Sequence, residues 1–306
     1  VFRSAGMIEA LFQQFGFQMK VAQIMRGPLR GQLCATRSAG GLLLQLTTNQ
    51  CLSCSGNRNQ RWLAIALKQT DNLEMHRLRG EPVQPCSVQG FNRNLTESIW
   101  QVSPHSHLSL LVVPVQRILD LIALDPSSKL QGVIDTSNVV TFQPRHFQTL
   151  KTFLLSHEIH EAPARDTLDA RLVECFMQPD NISDAGIPLS SRAELTNDLL
   201  NYGFSNPSTA ISLKDLSKTL LKSSSSITKA SREQFGVSPM QLLKQIRLQQ
   251  VQRLLMDPEQ QHELGTHSIS AIAQRFGFTA PNHFARDYRR MFWESPRQTL
   301  KLTGAA

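Results

Sequence analysis

The sequence holds no apolar run near the ~18 residues that a membrane-spanning helix requires. Its richest apolar stretch, Leu108-Ser109-Leu110-Leu111-Val112-Val113, is stopped by Pro114. No charged-then-apolar segment opens the chain, and a start at Val1 reads as a trimmed chain. Cysteine is scarce and odd in number: five, at 34, 51, 54, 86 and 175. In a chain of 306 residues without a signal segment these read as reduced thiols, not a disulfide framework. Nucleophile elbows, phosphate-binding glycine loops and repeated metal-ligand motifs are lacking too, so no enzyme activity, cofactor or metal is expected. A secreted mini-scaffold and a membrane protein are excluded. The expectation is a soluble, cytoplasmic chain.

What is present is ordinary in amount and uneven in distribution. Hydrophobic residues make up 41%, enough for sizeable cores, and the length suggests about two domains. The net charge is +8, of which Ile211 to the end carries +7, from 14 Lys and Arg against seven acids. A basic module is thus joined to a nearly neutral one, and a polyanion is the natural partner of the basic part.

The first ~115 residues read as short strands: Gln18–Ile24, Gly31–Thr36, Leu42–Thr48, Arg61–Leu67 and Ser98–Val102. Turn signals separate them at Gly27-Pro28, Ala39-Gly40-Gly41, Ser55-Gly56-Asn57 and Ser103-Pro104. Such spacing predicts a sandwich or small barrel. Helical spacing begins after Pro114, with Val115, Ile118, Leu119 and Ile122 on one stripe. Further helices are expected after Pro144 (Phe147, Leu150, Phe153, Leu154, Ile159) and after Pro163 (Leu168, Leu172, Val173, Phe176). Gln178 to Pro188 is polar and broken by Pro and Gly, as a linker would be. From there on the chain reads as short helices at about 192–202, 213–221, 224–235, 239–256, 268–276, 280–292 and 296–302. The predicted division is 1–178, a linker at 179–190, and 191–306.

Two segments of the basic part share one logic: short helix, tight turn, second helix. In the later one, Ile269, Ile272 and Ala273 form an apolar face, and Gly277 stands where a left-handed residue is needed. The next helix carries Phe284 and Tyr288 inward, with Asn282, His283, Arg286, Arg289 and Arg290 outward. Arg can pair bidentately with guanine, and Asn with adenine, in a major groove. In the earlier unit Leu213, Leu216 and Leu220 lead through Leu221-Lys222 into Ser224–Phe235. Its outward residues are Ser225, Ser226, Thr228, Lys229 and Arg232. Between the units, Pro239 to Met256 forms one helix of about 27 Å at ~1.5 Å per residue. That length could hold two recognition helices near the ~34 Å spacing of successive major-groove faces.

Leu213 to Leu302 resembles the DNA-binding domain of the AraC/XylS family of bacterial transcription regulators. The resemblance rests on Phe235-Gly236-Val237-Ser238-Pro239, Ile246-Arg247-Leu248 and Leu254-Leu255. It continues through Ile272-Ala273, Gly277-Phe278, Phe284, Arg286, Tyr288-Arg289 and Ser295-Pro296. By resemblance, Ser224–Phe235 and Ala280–Phe292 are the recognition helices. Ser225, Thr228 and Lys229, then Asn282 and Arg286, match base-reading positions. Three residues depart from the family pattern: Leu221 and Trp293 replace glycines, and Ser231 replaces a packed aromatic.

The resemblance also implies a cupin-like sensor domain in the first half, with dimer contacts through the helices between 115 and 177. The whole is then an α+β chain: a β-rich cupin-like barrel with following helices, then an all-α domain of two helix-turn-helix units on a linker helix. The implied function is a sequence-specific regulator, an activator sooner than a repressor, whose first domain responds to an effector or, as the alternative, only dimerises. Double-stranded DNA, RNA polymerase, a small-molecule effector and a second copy of the chain are the expected partners.

Other clusters carry blander readings. Cys51 and Cys54 lie in strand-like surroundings, where residues three apart face opposite sides, and read as packed thiols. His105 and His107 could share a strand face as metal ligands, in which case the chain would be a cupin-type metalloenzyme with a DNA-binding tail; exposed turn histidines are expected instead. His157, Glu158, His160 and Glu161 read as a solvated helix end. Trp62 and Trp100 read as core, and Lys214, Lys218 and Lys222 as solvated lysines.

Overall fold

The computed structural model describes residues 1–38, 41–124, 130–156, 181–183, 188–266 and 268–303. A helix that sequence reading passed over, α1 (Ala5–Gln14), opens the chain, capped by the Ser4 side chain on the Met7 N–H. Twelve strands follow among the described residues: β1 Met19–Gln23, β2 Gly31–Ser38, β3 Gly41–Thr48, β4 Leu52–Asn57, β5 Trp62–Lys68, β6 Arg77–Leu78, β7 Glu81–Pro82, β8 Ser87–Gln89, β9 Glu97–Val102, β10 Ser106–Pro114, β11 Val139–Thr141 and β12 Asn181–Ser183. The helices α2 (Val115–Leu124), α3 (Leu130–Thr136) and α4 (Pro144–Ser156) lie between β10 and β12.

The expected barrel is two antiparallel sheets instead. One has the order β1-β4-β9-β6-β7 and the other β12-β11-β8-β5-β10-β3-β2. Among the described residues no strand pairing joins one sheet to the other. Strand period 2 explains how the apolar residues are shared out. On β3, Leu44 and Leu46 enter a core with Val21, Leu52, Cys54 and Val102 of the five-stranded sheet, closed by Ile8 and Phe12 of α1. Leu43 faces the other way, into a second core with Leu63, Ile65, Leu111 and Val113 and with Ile118 and Ile122 of α2. The seven-stranded sheet is therefore covered on both faces. This is why the richest apolar run of the chain, in β10, alternates so little.

The Ser55-Gly56-Asn57 turn signal is in fact the end of β4. Gly56 is there for close approach: a Cβ would lie 2.2 Å from the Gln18 backbone oxygen. Residue 159, the cluster 157–161, the helix expected at 163–176 and Cys175 lie outside the described residues. Within the expected linker, Asn181–Ser183 pairs with β11 at the edge of the seven-stranded sheet.

The remaining chain is helical: α5 Ser191–Ser205, α6 Leu213–Thr219, α7 Ser224–Phe235, α8 Pro239–Leu255, α9 Pro258–Glu263, α10 Ile269–Arg275, α11 Pro281–Phe292 and α12 Pro296–Thr303. Only α9 was not anticipated. Serine caps set the starts: Ser223 on Ser226 N–H, Ser238 on Gln241 N–H before Pro239, and Ser268 on Ala271 N–H. Ser295 makes a capping box, its Oγ accepting from Gln298 N–H while Gln298 Oε1 accepts from Ser295 N–H at 2.7 Å.

A candidate nucleic-acid interface on two helix-turn-helix units

The helix α8 is buried nearly all round because it serves two cores. Leu242, Leu243 and Ile246 pack with Leu216, Ile227, Ala230 and Phe235 of α6 and α7 and with α5. Leu248, Val251, Leu254 and Leu255 pack with Ile272 and Ala273 of α10 and with Phe284, Tyr288, Met291 and Phe292 of α11. Each unit is thus a helix pair folded onto one half of a common rod. Seventeen residues make that rod about 25 Å long at ~1.5 Å per residue.

The turns follow the expected chemistry, with two costly exceptions. Gly277 sits at φ 77°, and a Cβ there would meet the Ser208 backbone oxygen at 2.5 Å. Leu221 and Trp293 occupy the same left-handed region, at φ 53° and 59°, although neither is glycine. Both side chains are solvent-exposed, Leu221 by 88% and Trp293 by 73%. Ser231, which replaces a packed aromatic, is buried and donates its hydroxyl to the Val237 carbonyl at 2.8 Å. That hydrogen bond fixes the turn after α7 and leaves no orphaned hydroxyl in the core.

On α11, Tyr288 is fully buried, with its hydroxyl 2.8 Å from Thr299 Oγ1, and burial pushes its pKa up. The opposite face carries Asn282, His283, Arg286, Arg289 and Arg290, all exposed. None of the five side chains has a hydrogen bond or ion pair to another described residue. Ala280 supplies no side-chain cap, so the first N–H groups of α11 are left for water or an anion. Beneath this face Lys244 pairs with Asp287 at 3.2 Å, and the Arg247 guanidinium stacks over Phe278 at 5.4 Å. Arg247 holds the α10–α11 turn in place from below, a role that sequence reading did not assign.

The outer face of α7 is more committed to itself. Ser225 and Ser226 Oγ lie 3.0 and 2.8 Å from the Ser223 hydroxyl. Thr228 donates to the Ser224 carbonyl at 2.7 Å. Lys229 and Arg232 are exposed, and Thr228 is half-buried. The two helices therefore present different chemistry: polar donors already engaged at the start of α7, free cations and an amide along α11.

The first half of the chain is docked against this domain. Glu9 of α1 pairs with Arg253 at 2.5 Å, and burial holds the Glu9 carboxyl above its ordinary pKa despite that partner. Gly27 N–H donates to the Met291 carbonyl at 2.7 Å, and the Gln101 and Gln234 side chains meet at 3.3 Å. Elsewhere, Cys51 and Cys54 are fully buried, with burial pushing Cys51 up to about 12. His105 stands exposed in the turn before β10, whereas His107 is part of the strand, half-buried, its Nε2 2.9 Å from Gln45 Oε1. The region is more ordered than turn histidines imply.

Comparison with known proteins agrees with this geometry. Residues 216–302 match the helix-turn-helix domain family. The XylDLEGF operon transcriptional activator 2 of Pseudomonas putida is 31% identical over 97 residues, which are 32% of this chain and 59% of that protein. The chain thus spans little more than half the length of this relative. A probable AraC family transcriptional regulator from Rhodopseudomonas palustris is 33% identical, over 36% of this chain and 97% of that one, with a TM-score of 0.31. ToxT from Vibrio cholerae is 12% identical, over 95% and 99% of the two chains, with a TM-score of 0.32. The carboxy-terminal helices form a DNA-binding domain of the helix-turn-helix class. Through that domain the chain belongs to the AraC/XylS family.

Proposed function

We propose that the protein is a sequence-specific transcription regulator, cytoplasmic, whose two units enter successive major-groove segments of one duplex. The observation that carries this is the pairing of two outward-facing helices, α7 and α11, on the ends of a single buried rod. Asn282 and Arg286 read bases, and Lys229 on the first helix contacts phosphate. His283, Arg289, Arg290 and Arg232 contact phosphates, as Ser225 and Thr228 help position the first helix. Phosphate neutralisation supplies much of the affinity and makes it salt-dependent.

Residues 1–178 are a regulatory and dimerisation domain, joined through 179–190 to the DNA-binding domain at 191–306. The facing sheets are read as a cupin-like sensor, and the cavity between them as the place of a small-molecule effector. An effector favours one arrangement of sensor and DNA-binding domain if it binds that arrangement more tightly. Activation through contact with RNA polymerase is the expected output, since the Pseudomonas putida relative is a transcriptional activator. The test is selection of random duplex DNA by the whole protein at about 0.15 M salt, read by sequencing. Two enriched blocks about ten base pairs apart support the reading. Binding without enrichment that vanishes as salt rises refutes it.

A further inference from the structure

The short loop between β1 and β2 bridges the two helix-turn-helix units. At its start, Ala22 and Ile24 are buried in one core with Leu216 and Ile227 of the first unit and Leu242 of the rod. A few residues on, the Gly27 N–H donates to the Met291 carbonyl at 2.7 Å, near the end of α11 in the second unit. The Gln23 side chain fixes the stretch between these anchors, its Nε2 donating to the Met25 and Gly27 carbonyls at 2.8 Å each. Arg26 stands in this clamped stretch. Its side chain is exposed and has no hydrogen bond or ion pair to another described residue.

Arg26 borders a groove of about 450 Å³ between the rod α8 and α11. Lys244, Arg247 and Arg290 line it too, and Asp287 is the one acid among the described lining residues. Asp287 is taken by Lys244 at 3.2 Å, which leaves the Arg26, Arg247 and Arg290 guanidinium groups without an acid. Burial lowers the Arg247 pKa, and no carboxylate opposes it. Like charges gathered in one groove repel, and an anion seated there removes the repulsion. The groove opens on the face of α11 proposed above for DNA, since Arg290 follows Arg286 by one turn and residues four apart share a helix face. Two recognition helices in successive major-groove segments leave a stretch of sugar–phosphate backbone facing the protein between them. A loop anchored in the first unit and on the second is placed opposite that stretch.

We propose that Arg26, a residue of the first domain, binds DNA directly: beside Arg290 it contacts a backbone phosphate between the two major-groove segments. The inference rests on the DNA-reading function above and adds a contact from outside the helix-turn-helix units. The docked first domain and bound DNA then favour each other by the same free energy. A movement that lifts the loop from α11 gives up a phosphate, which ties the position of the first domain to DNA affinity.

The experiment uses the full chain and a duplex from the selection described above. Arg26→Gln should weaken matched and mismatched duplexes alike, about three- to tenfold at about 0.15 M salt, and lower the slope of log affinity against log salt by about 0.9. Arg37→Gln, which removes an exposed cation of β2 outside the groove, should leave affinity unchanged. Position is tested with duplexes in which one phosphate at a time is an uncharged methylphosphonate. A replacement between the two blocks should weaken the unaltered protein, and the same replacement should cost Arg26→Gln at least about threefold less. An Arg26→Gln protein with unaltered affinity and salt slope overturns the proposal. So does a loss of affinity that couples to no phosphate, the mark of a structural role. In both cases selective DNA binding survives, and the DNA-reading function with it. Failure to select any duplex refutes that function and the proposal together.

Discussion

Gln249 bonds Gln23 as a neighbouring β-strand would, across 226 positions of sequence. Its side-chain Oε1 accepts the Gln23 N–H at 2.7 Å, and its Nε2 donates to the Gln23 carbonyl at 2.9 Å. Gln23 ends β1, the edge strand of the five-stranded sheet, so one amide side chain satisfies main-chain groups that an edge leaves open. Both glutamines are buried, Gln249 with 5% exposure and Gln23 with 1%. The helix that carries both helix-turn-helix units is thereby fastened to the five-stranded sheet. Any movement between the two halves must break this pair.

Gln249→Ala strips two buried main-chain groups of their partners and should cost about 1–3 kcal/mol. Urea unfolding checks the loss, and hydrogen exchange at the Gln23 amide checks its place. A selective rise in exchange at Gln23 is expected, with amides deep in β10 still protected. Unchanged exchange at Gln23 would show that the pair does not hold the halves together.

Much of the DNA-binding region was legible in sequence because local rules act there without competition. Ser-Pro before α8 and α12, glycine at 277 and 3.6-residue spacing each state a local preference, and α7 spans Ser224–Phe235 as expected. The sheets were less so. Ser55-Gly56-Asn57 carries turn chemistry, yet tertiary contact with Gln18 made it strand. A closed barrel and two facing sheets place the same alternation on the same strands, so the pattern alone could not separate them. The Gln23–Gln249 pair gave no signal, since nothing local in either segment announces a partner 226 residues away.

Leu221→Gly should stabilise the protein. A left-handed conformation costs an L side chain about 1–2 kcal/mol, and glycine returns roughly 0.5–1 of that in chain entropy. With the leucine side chain 88% exposed, almost no burial is lost. The expected gain is about 0.5–1 kcal/mol, read from the urea midpoint, whereas Leu221→Ala keeps the strained φ and should show no such gain. Destabilisation by the glycine variant would mean that the exposed leucine makes contacts that outweigh its backbone strain.

His76 makes stability fall with acid. Burial lowers its pKa from 6.5 to about 3, and Gln89 Nε2, 2.9 Å from His76 Nε2, donates to the neutral ring. The unfolded chain therefore binds a proton below pH ~6.5 that the folded chain refuses until about pH 3. Its contribution is fully present above the unfolded value and is lost as pH falls through that window, at up to about 1.4 kcal/mol per unit. The urea midpoint of the wild-type protein should drop more between about pH 7 and pH 5 than that of His76→Gln. Parallel pH dependence in the two proteins would place the acid sensitivity elsewhere.

The two recognition helices should divide their labour. Arg286 is exposed and unengaged, so it is free to pair with a base edge, while the hydroxyls at the start of α7 bond one another. Arg286→Ala should therefore cut the discrimination between matched and mismatched duplexes by about 1–3 kcal/mol. Lys229→Ala should weaken both duplexes alike and reduce the salt dependence of binding by about one counterion. Binding curves for a selected site and for a variant altered under α11, each at several salt concentrations, separate the two effects. If both substitutions lowered discrimination equally, α7 would be reading bases as fully as α11. The hydrogen bonds of Ser225 and Ser226 to Ser223 would then have to open on DNA.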